Sequence, residues 1–111
     1  MANTFKNAAL ADVASGSYDT LYTVPSATQT VVLGLAIANK NTQEVKVKVQ
    51  FTDSSNSNAT YQLLEDVAIP GNTTLETLAG QKYILEAGDI LKVQTDTATS
   101  IDVVLGIMEK A

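Results

Sequence analysis

Four side chains are missing from this sequence of 111 residues: histidine, cysteine, tryptophan and arginine. Without histidine the chain lacks the side chain that ordinarily exchanges protons near neutral pH. Without cysteine it has no thiol nucleophile, no thiolate metal ligand and no disulfide framework. Without arginine it has no planar fork for gripping a carboxylate or phosphate at two points. Aromatics are scarce at 5%, and no apolar run approaches the roughly 18 residues of a membrane-spanning helix. The opening MANTFKNAALADVASGS has no apolar h-region of a secretory signal, so folding in a cytosol is expected. No catalytic, cofactor-binding or metal-binding residue is assigned, and neither an enzyme nor a small-molecule substrate is expected.

Seven lysines stand against twelve carboxylates, a formal net charge of −5. Nucleic-acid binding needs clustered cations interleaved with aromatics, and only Lys46 and Lys48 fall together, with no ring beside them. Neither nucleic acid nor a membrane is therefore expected as a partner. A hydrophobic content of 45% is ordinary for a globular protein, and the length suits one domain.

From residue 18 onward the pattern is β. Tyr18–Val24 alternates and stops at Pro25, which has no ladder donor. Thr30–Asn39 is β-branched and nearly all apolar, as expected of a strand buried on both faces, and Gly34 inside it marks either a bulge or a close approach of another backbone. Asn39-Lys40-Asn41 reads as a tight turn, since asparagine tolerates positive φ. In Glu44–Thr52, Val45, Val47, Val49 and Phe51 alternate with Glu44, Lys46, Lys48 and Gln50, so one face is core and the other is solvated. Asp53–Asn58 is a polar loop. Ala59–Ile69 ends at Pro70-Gly71, Thr73–Leu78 at Ala79-Gly80, and Lys82–Leu85 in the turn Glu86-Ala87-Gly88-Asp89. Ile90–Thr95 and Ser100–Met108 complete about eight strands, the signature of a single antiparallel β-sandwich of jelly-roll or immunoglobulin-like type. Val47, Val49, Phe51, Val103 and Leu105 are expected at the centre of its core.

Met1–Ser17 has a different pattern. Phe5, Ala8, Ala9, Leu10 and Val13 give only a weak helical period, and Ser15-Gly16-Ser17 breaks it. Residues 1–17 are expected to form an N-terminal arm that orders against a neighbouring subunit, and residues 18–111 a complete sandwich domain. Deleting the arm is then expected to leave the isolated domain nearly as stable.

The remaining polar clusters read as surface. Asp53, Asn56 and Asn58 loosely follow a calcium-loop spacing, but the loop has neither the central glycine nor the closing bidentate glutamate. Glu65 and Asp66 are adjacent and, in a strand, would face opposite sides of the sheet, which rules them out as a catalytic pair. Tyr18 and Tyr22 share a strand face and are either a contact patch or buried rings with their hydroxyls at the rim. Asn58-Ala59-Thr60 and Asn72-Thr73-Thr74 match the glycosylation sequon, read as coincidence in a chain without a secretory signal.

The stretches LYTVPSATQTVVLGLAIANKNTQEVKVKVQF and VAIPGNTTLETLAGQKYILEAGDILKVQTDTATSIDVVLGIMEK carry Tyr22–Pro25, Ala38-Asn39, Pro70-Gly71, Leu85–Asp89 and Asp102–Leu105. In these the chain resembles small structural proteins of tailed bacteriophages, including phages of marine bacteria and cyanobacteria. The resemblance implies a virion protein made in the host cytoplasm, most simply a decoration or cement protein on the capsid. The alternatives are a small neck, tail or fibre-attachment component, and, from a different class, a carbohydrate- or receptor-binding sandwich. The implied partners are other virion proteins, such as a major capsid protein or neck and tail proteins, and further copies of the chain in a homo-oligomer. Glu44, Lys46 and Lys48 would supply charges that match a neighbour.

Overall fold

In the computed structural model, which describes residues 3–77 and 83–111, two antiparallel sheets pack face to face. The strands are β1 (Asn3–Leu10), β2 (Asp19–Thr23), β3 (Gln29–Asn39), β4 (Val45–Asp53), β5 (Ala59–Ile69), β6 (Thr74–Glu76), β7 (Tyr83–Leu85), β8 (Ile90–Thr95) and β9 (Ile101–Lys110). A 3-10 turn, Ser54–Asn56, follows β4. Sheet A has the order β1-β9-β3-β6, with β7 also paired to β3, and sheet B the order β2-β8-β4-β5. The expected turn at Ala79-Gly80, and the strand ends Leu78 and Lys82 on either side of it, lie outside the described residues.

The pairing decides between the two sandwich types. β1 pairs with β9, β2 with β8, β3 with β6 and β7, and β4 with β5. These pairs are nested, so the chain is one long antiparallel hairpin whose tip is the 54–58 loop. Wrapped so that successive pairs alternate between sheets, that hairpin is a jelly roll.

The same nesting corrects the N-terminal boundary. Asn3–Leu10 is not an arm outside a complete domain. It is an edge strand of sheet A, in register with β9 from Asn3↔Lys110 to Leu10↔Val103. Beyond it Val13 is fully buried and donates its N–H to the Ile101 carbonyl at 3.0 Å. The eight strands legible from residue 18 onward look complete only because β6 and β7 count as two. In the fold they share one edge of β3, and the jelly roll needs β1 to fill the eighth place.

Other expectations stand. Val45, Val47 and Val49 are buried to 1% or less, while Lys46 is exposed, so the register of β4 is as read. Val103 and Leu105 are fully buried. Phe51 points inward but is only half-buried, because it lines an open end of the sandwich, where it stacks on Tyr61 with ring centres 6.2 Å apart. Gly34 does sit at a bulge, between Val32 and Gly34 in the β3–β9 ladder. β3, however, is buried on one face only, and Leu33 is 42% exposed.

The Asn39 turn closes through its side chain, and Asn39 and Asn41 are not among the residues of positive φ. Asn39 Oδ1 accepts the Asn41 N–H, and its amide nitrogen donates to the carbonyls of Gln43, Ile69 and Pro70 at 2.9, 2.9 and 3.2 Å. Gly71 lies against this turn so closely that a Cβ there would come within 2.2 Å of the Thr42 carbonyl oxygen.

Candidate assembly surface

Strands of a sandwich alternate core-facing and solvent-facing residues, and the outward set is ordinarily polar. On sheet B it is. Lys46, Lys48, Gln50, Gln62, Lys92 and Gln94 face out, cross-linked by side-chain contacts such as Gln50–Gln62 at 2.9 Å. Lys48 lies 3.5 Å from Glu65 and 3.9 Å from Asp66, and these carboxylates hold its ammonium above the usual lysine range, Asp66 the most. Glu65 and Asp66 were expected on opposite sides of the sheet. Asp66 instead takes a left-handed φ of 52° at a bulge in the β4–β5 ladder, which turns both carboxylates toward Lys48. Lys48 is thus engaged within the chain and is less available to match a neighbour.

Tyr18 and Tyr22 do not form one patch. A register shift between Thr20 and Tyr22 separates them. Tyr18 lies on the outer face against Gln62. Tyr22 reaches across to sheet A, where its hydroxyl donates to Glu109 at 2.5 Å and lies 2.8 Å from Thr30 Oγ1. Burial, and then the bond to Glu109, push the Tyr22 phenol up to about 12. The hydrogen bond from Tyr22, together with Lys6 at 3.3 Å, holds the Glu109 carboxyl below the usual glutamate range.

At the tip of the hairpin the side chains of the 53–58 loop, read from the sequence as a polar surface loop, bond within the protein. Asp53 Oδ1 caps the 3-10 turn by accepting the Ser55 N–H, and the Asn56 amide donates to the Tyr61 hydroxyl. Asp53 also approaches Glu86 and Asp89, with carboxylate oxygens within 4.8 Å of one another. Buried Asp89 is already occupied: it accepts from the N–H groups of Ser54 and Glu86 and from Ser54 Oγ. Its geometry is that of a clasp between two loops.

Sheet A is different, and its outward face is the feature that sequence reasoning missed. In register across the sheet stand Phe5 (β1), Met108 (β9), Val31 (β3) and Ile84 (β7). Phe5 is 73% and Ile84 61% exposed. Two residues along β1 and β9, and three along the bulged β3, come Asn7, Gly106 and Gly34, and two further come Ala9, Val104 and Ala36, with Val104 51% exposed. A Cβ added at Gly34 or Gly106 would meet nothing within 4 Å beyond its chain neighbours, so the two glycines lie low between the apolar rows, with Leu33 exposed at the bulge beside Gly34. Charges are confined to the margins: Lys110 at one end, Asp102 at the other, and Glu76 at the β6 edge. Lys40 bridges Asp102 and Asp12 at 3.0 and 2.6 Å, which lowers the Asp102 carboxyl and raises the Lys40 ammonium.

The nearly all-apolar run of β3 read as burial on both sides, while in β9 Ile101, Val103, Leu105 and Ile107 alternate with Asp102, Val104 and Gly106, which hides Val104 and Met108 on the outward face. The signal in β1 was weaker, because the lone aromatic Phe5 sits among Asn and Lys. Only the register aligns Phe5 with Met108, Val31 and Ile84. An open apolar face of this kind is suited to burying a partner rather than to performing a reaction. A depression on sheet B, about 200 Å3 between Lys46, Lys48, Asp66 and Gln94, has no aromatic ring in its lining on which a sugar would stack.

No family model matches this sequence, and no curated protein matches it. Solved structures do match in fold. One is a chain of the disulfide-linked pili that form Bacillus endospore appendages, with a TM-score of 0.58 and 8% identity over 98% of this chain and 88% of that one. Another is a chain of the T13 viral particle of IBDV, with a TM-score of 0.56 and 10% identity over 96% of this chain but only 30% of that one. At such identities the likeness is one of fold, and the disulfide linkage of the pili has no counterpart in a chain without cysteine.

Proposed function

We propose that this protein is a non-catalytic structural component of a virion, made in the host cytoplasm, that coats or cements the capsid shell of a tailed phage. The observation that carries the proposal is the apolar outer face of sheet A, where four strands align Phe5, Met108, Val31 and Ile84 toward solvent. A monomer with no partner has little use for such a face, whereas a coat protein buries it on assembly. The jelly-roll fold, shared with a chain of a viral particle and with a chain of a pilus, supports a role in assembly. So does the bacteriophage-like phrasing of the turns at Pro70-Gly71 and Leu85–Asp89.

The test is to image particles from cells making the protein and from cells deleted for it. Density spread over the shell in the first and missing in the second supports a decoration or cement role. Density confined to one vertex moves the protein to the neck or tail. Particles identical in the two preparations refute the proposal.

A further inference from the structure

We propose that the outer face of sheet A pairs with the same face of a second copy, about a two-fold axis that runs across the strands through the Asn7–Gly106–Gly34 row. The inference deepens the proposed role by naming the first partner of that face. It rests on that reading only in taking the face for an assembly surface.

Two independent features of the face select this partner and this axis. One is size. On one side of the glycine row stand the large side chains Phe5, Met108 and Val31; on the other, in the same columns, stand Ala9, Val104 and Ala36. A two-fold axis across the strands lays the large row of each copy on the small row of the other, with the glycine row at the centre. An axis along the strands would set large against large and small against small. The other feature is charge. Lys110 and Asp102 lie on β9 at opposite ends of the face. The axis across the strands brings Lys110 of each copy over the Lys40–Asp102–Asp12 cluster of its mate, which carries one net negative charge although Asp102 is already bridged, whereas the axis along the strands would pair like with like. A surface that complements itself in both size and charge under one operation is what an isologous dimer requires. In the outermost column, beyond β3, the same axis sets Ile84 of each copy beside Glu76 of its mate, at the solvated rim where the carboxylate stays in water.

The area is sufficient for a pair. With strands about 4.8 Å apart and about 3.3 Å of rise per residue, the face covers roughly 500 Å2, so a dimer buries about 1,000 Å2, the lower bound for a specific interface. Each copy carries a net charge of −5, so the nearly uncharged centre of this face is also where two copies repel least.

The absence of cysteine makes the geometry directly testable. Residues of the central row lie on the axis and face their own counterparts, so Asn7→Cys places two thiols opposite each other. A short bismaleimide is expected to join N7C into a covalent dimer. Gln50→Cys, on the outer face of sheet B, is expected to give no more dimer than random collision. In sedimentation equilibrium the wild-type chain is expected to dimerise as concentration rises. Val104→Lys is expected to weaken the dimer about tenfold or more without changing the circular dichroism of the monomer. Lys110→Glu is expected to weaken it, and adding Asp102→Lys to restore it. A wild-type chain that stays monomeric, or N7C that cross-links no better than Q50C, overturns the inference. If the protein still decorates particles in that case, the proposed function survives and its partner is a different chain. If it is also missing from particles, both fail. A Lys110→Glu loss that Asp102→Lys does not rescue rejects the axis proposed here.

Discussion

Replacing Asn39 by aspartate changes one amide nitrogen to oxygen and is expected to be among the most damaging conservative substitutions in the chain. Asn39 is 2% exposed, and its amide nitrogen donates to three carbonyl oxygens that belong to the 39–43 turn and to the end of β5. Two hydrogens serve those three acceptors. In Asn39→Asp the donors vanish and a carboxylate oxygen faces the carbonyls. Losing the hydrogen bonds leaves buried acceptors unsatisfied at about 1–3 kcal/mol each, and an uncompensated buried charge costs about 3–5 kcal/mol. A total of about 4 kcal/mol at neutral pH is expected, less than a plain sum because the site relaxes or takes up a proton.

The proton makes the prediction distinctive. Burial against carbonyl oxygens raises the new carboxyl's pKa above the unfolded value of about 3.9. A raised group lends stability that is fully present below its unfolded pKa and is lost as pH rises through its folded pKa. The deficit of N39D relative to wild type should therefore be smaller at pH 4 than at pH 7. The wild-type chain runs the other way, since Asp102 and Glu109 are held low and lose their contribution as pH falls. The comparison must accordingly be made between the two proteins at each pH. Urea unfolding followed by far-ultraviolet circular dichroism measures it without needing tryptophan. A deficit below about 1 kcal/mol, equal at the two pH values, would refute the claim that this side chain ties the turn to β5.

Truncation to residue 14 is expected to unfold the protein rather than release a spare arm, because it removes β1 from β9 and takes out the buried Val13; a cooperative thermal transition near the wild-type temperature would show the opposite. The milder Val13→Ala should cost about 2–3 kcal/mol in chemical denaturation, from two methyl groups and the cavity they leave. Stability should fall as pH rises from about 10, where an unfolded tyrosine ionises, through about 12, where Tyr22 does so in the fold. Tyr22→Phe should flatten that alkaline limb, and an unchanged limb would mean that another group causes it. Gly71→Ala should lower the melting temperature by several degrees, since its Cβ would drive into the Thr42 carbonyl oxygen 2.2 Å away.

Much of the architecture was determined by the sequence alone, wherever a signal was local. Period two in Val45–Phe51 set the inward face of β4, Pro and Gly pairs set strand ends, and Gly34 marked its bulge, because each depends on side-chain alternation or backbone sterics within a few residues. Ala59–Ile69 and Ile90–Thr95 were readable to the residue. What only the tertiary structure decided was long-range. That Asn3–Leu10 is a strand depends on β9, roughly a hundred positions along the chain, which supplies the ladder its own weak pattern does not advertise. That Glu65 and Asp66 share Lys48 depends on a bulge set by the pairing of β4 with β5. The face that matters most, Phe5 with Met108, Val31 and Ile84, is drawn from four strands and exists only once their registers are set. Hydrophobicity along one strand says how much apolar surface there is; the pairing of strands decides which of it meets the core and which is left for a partner.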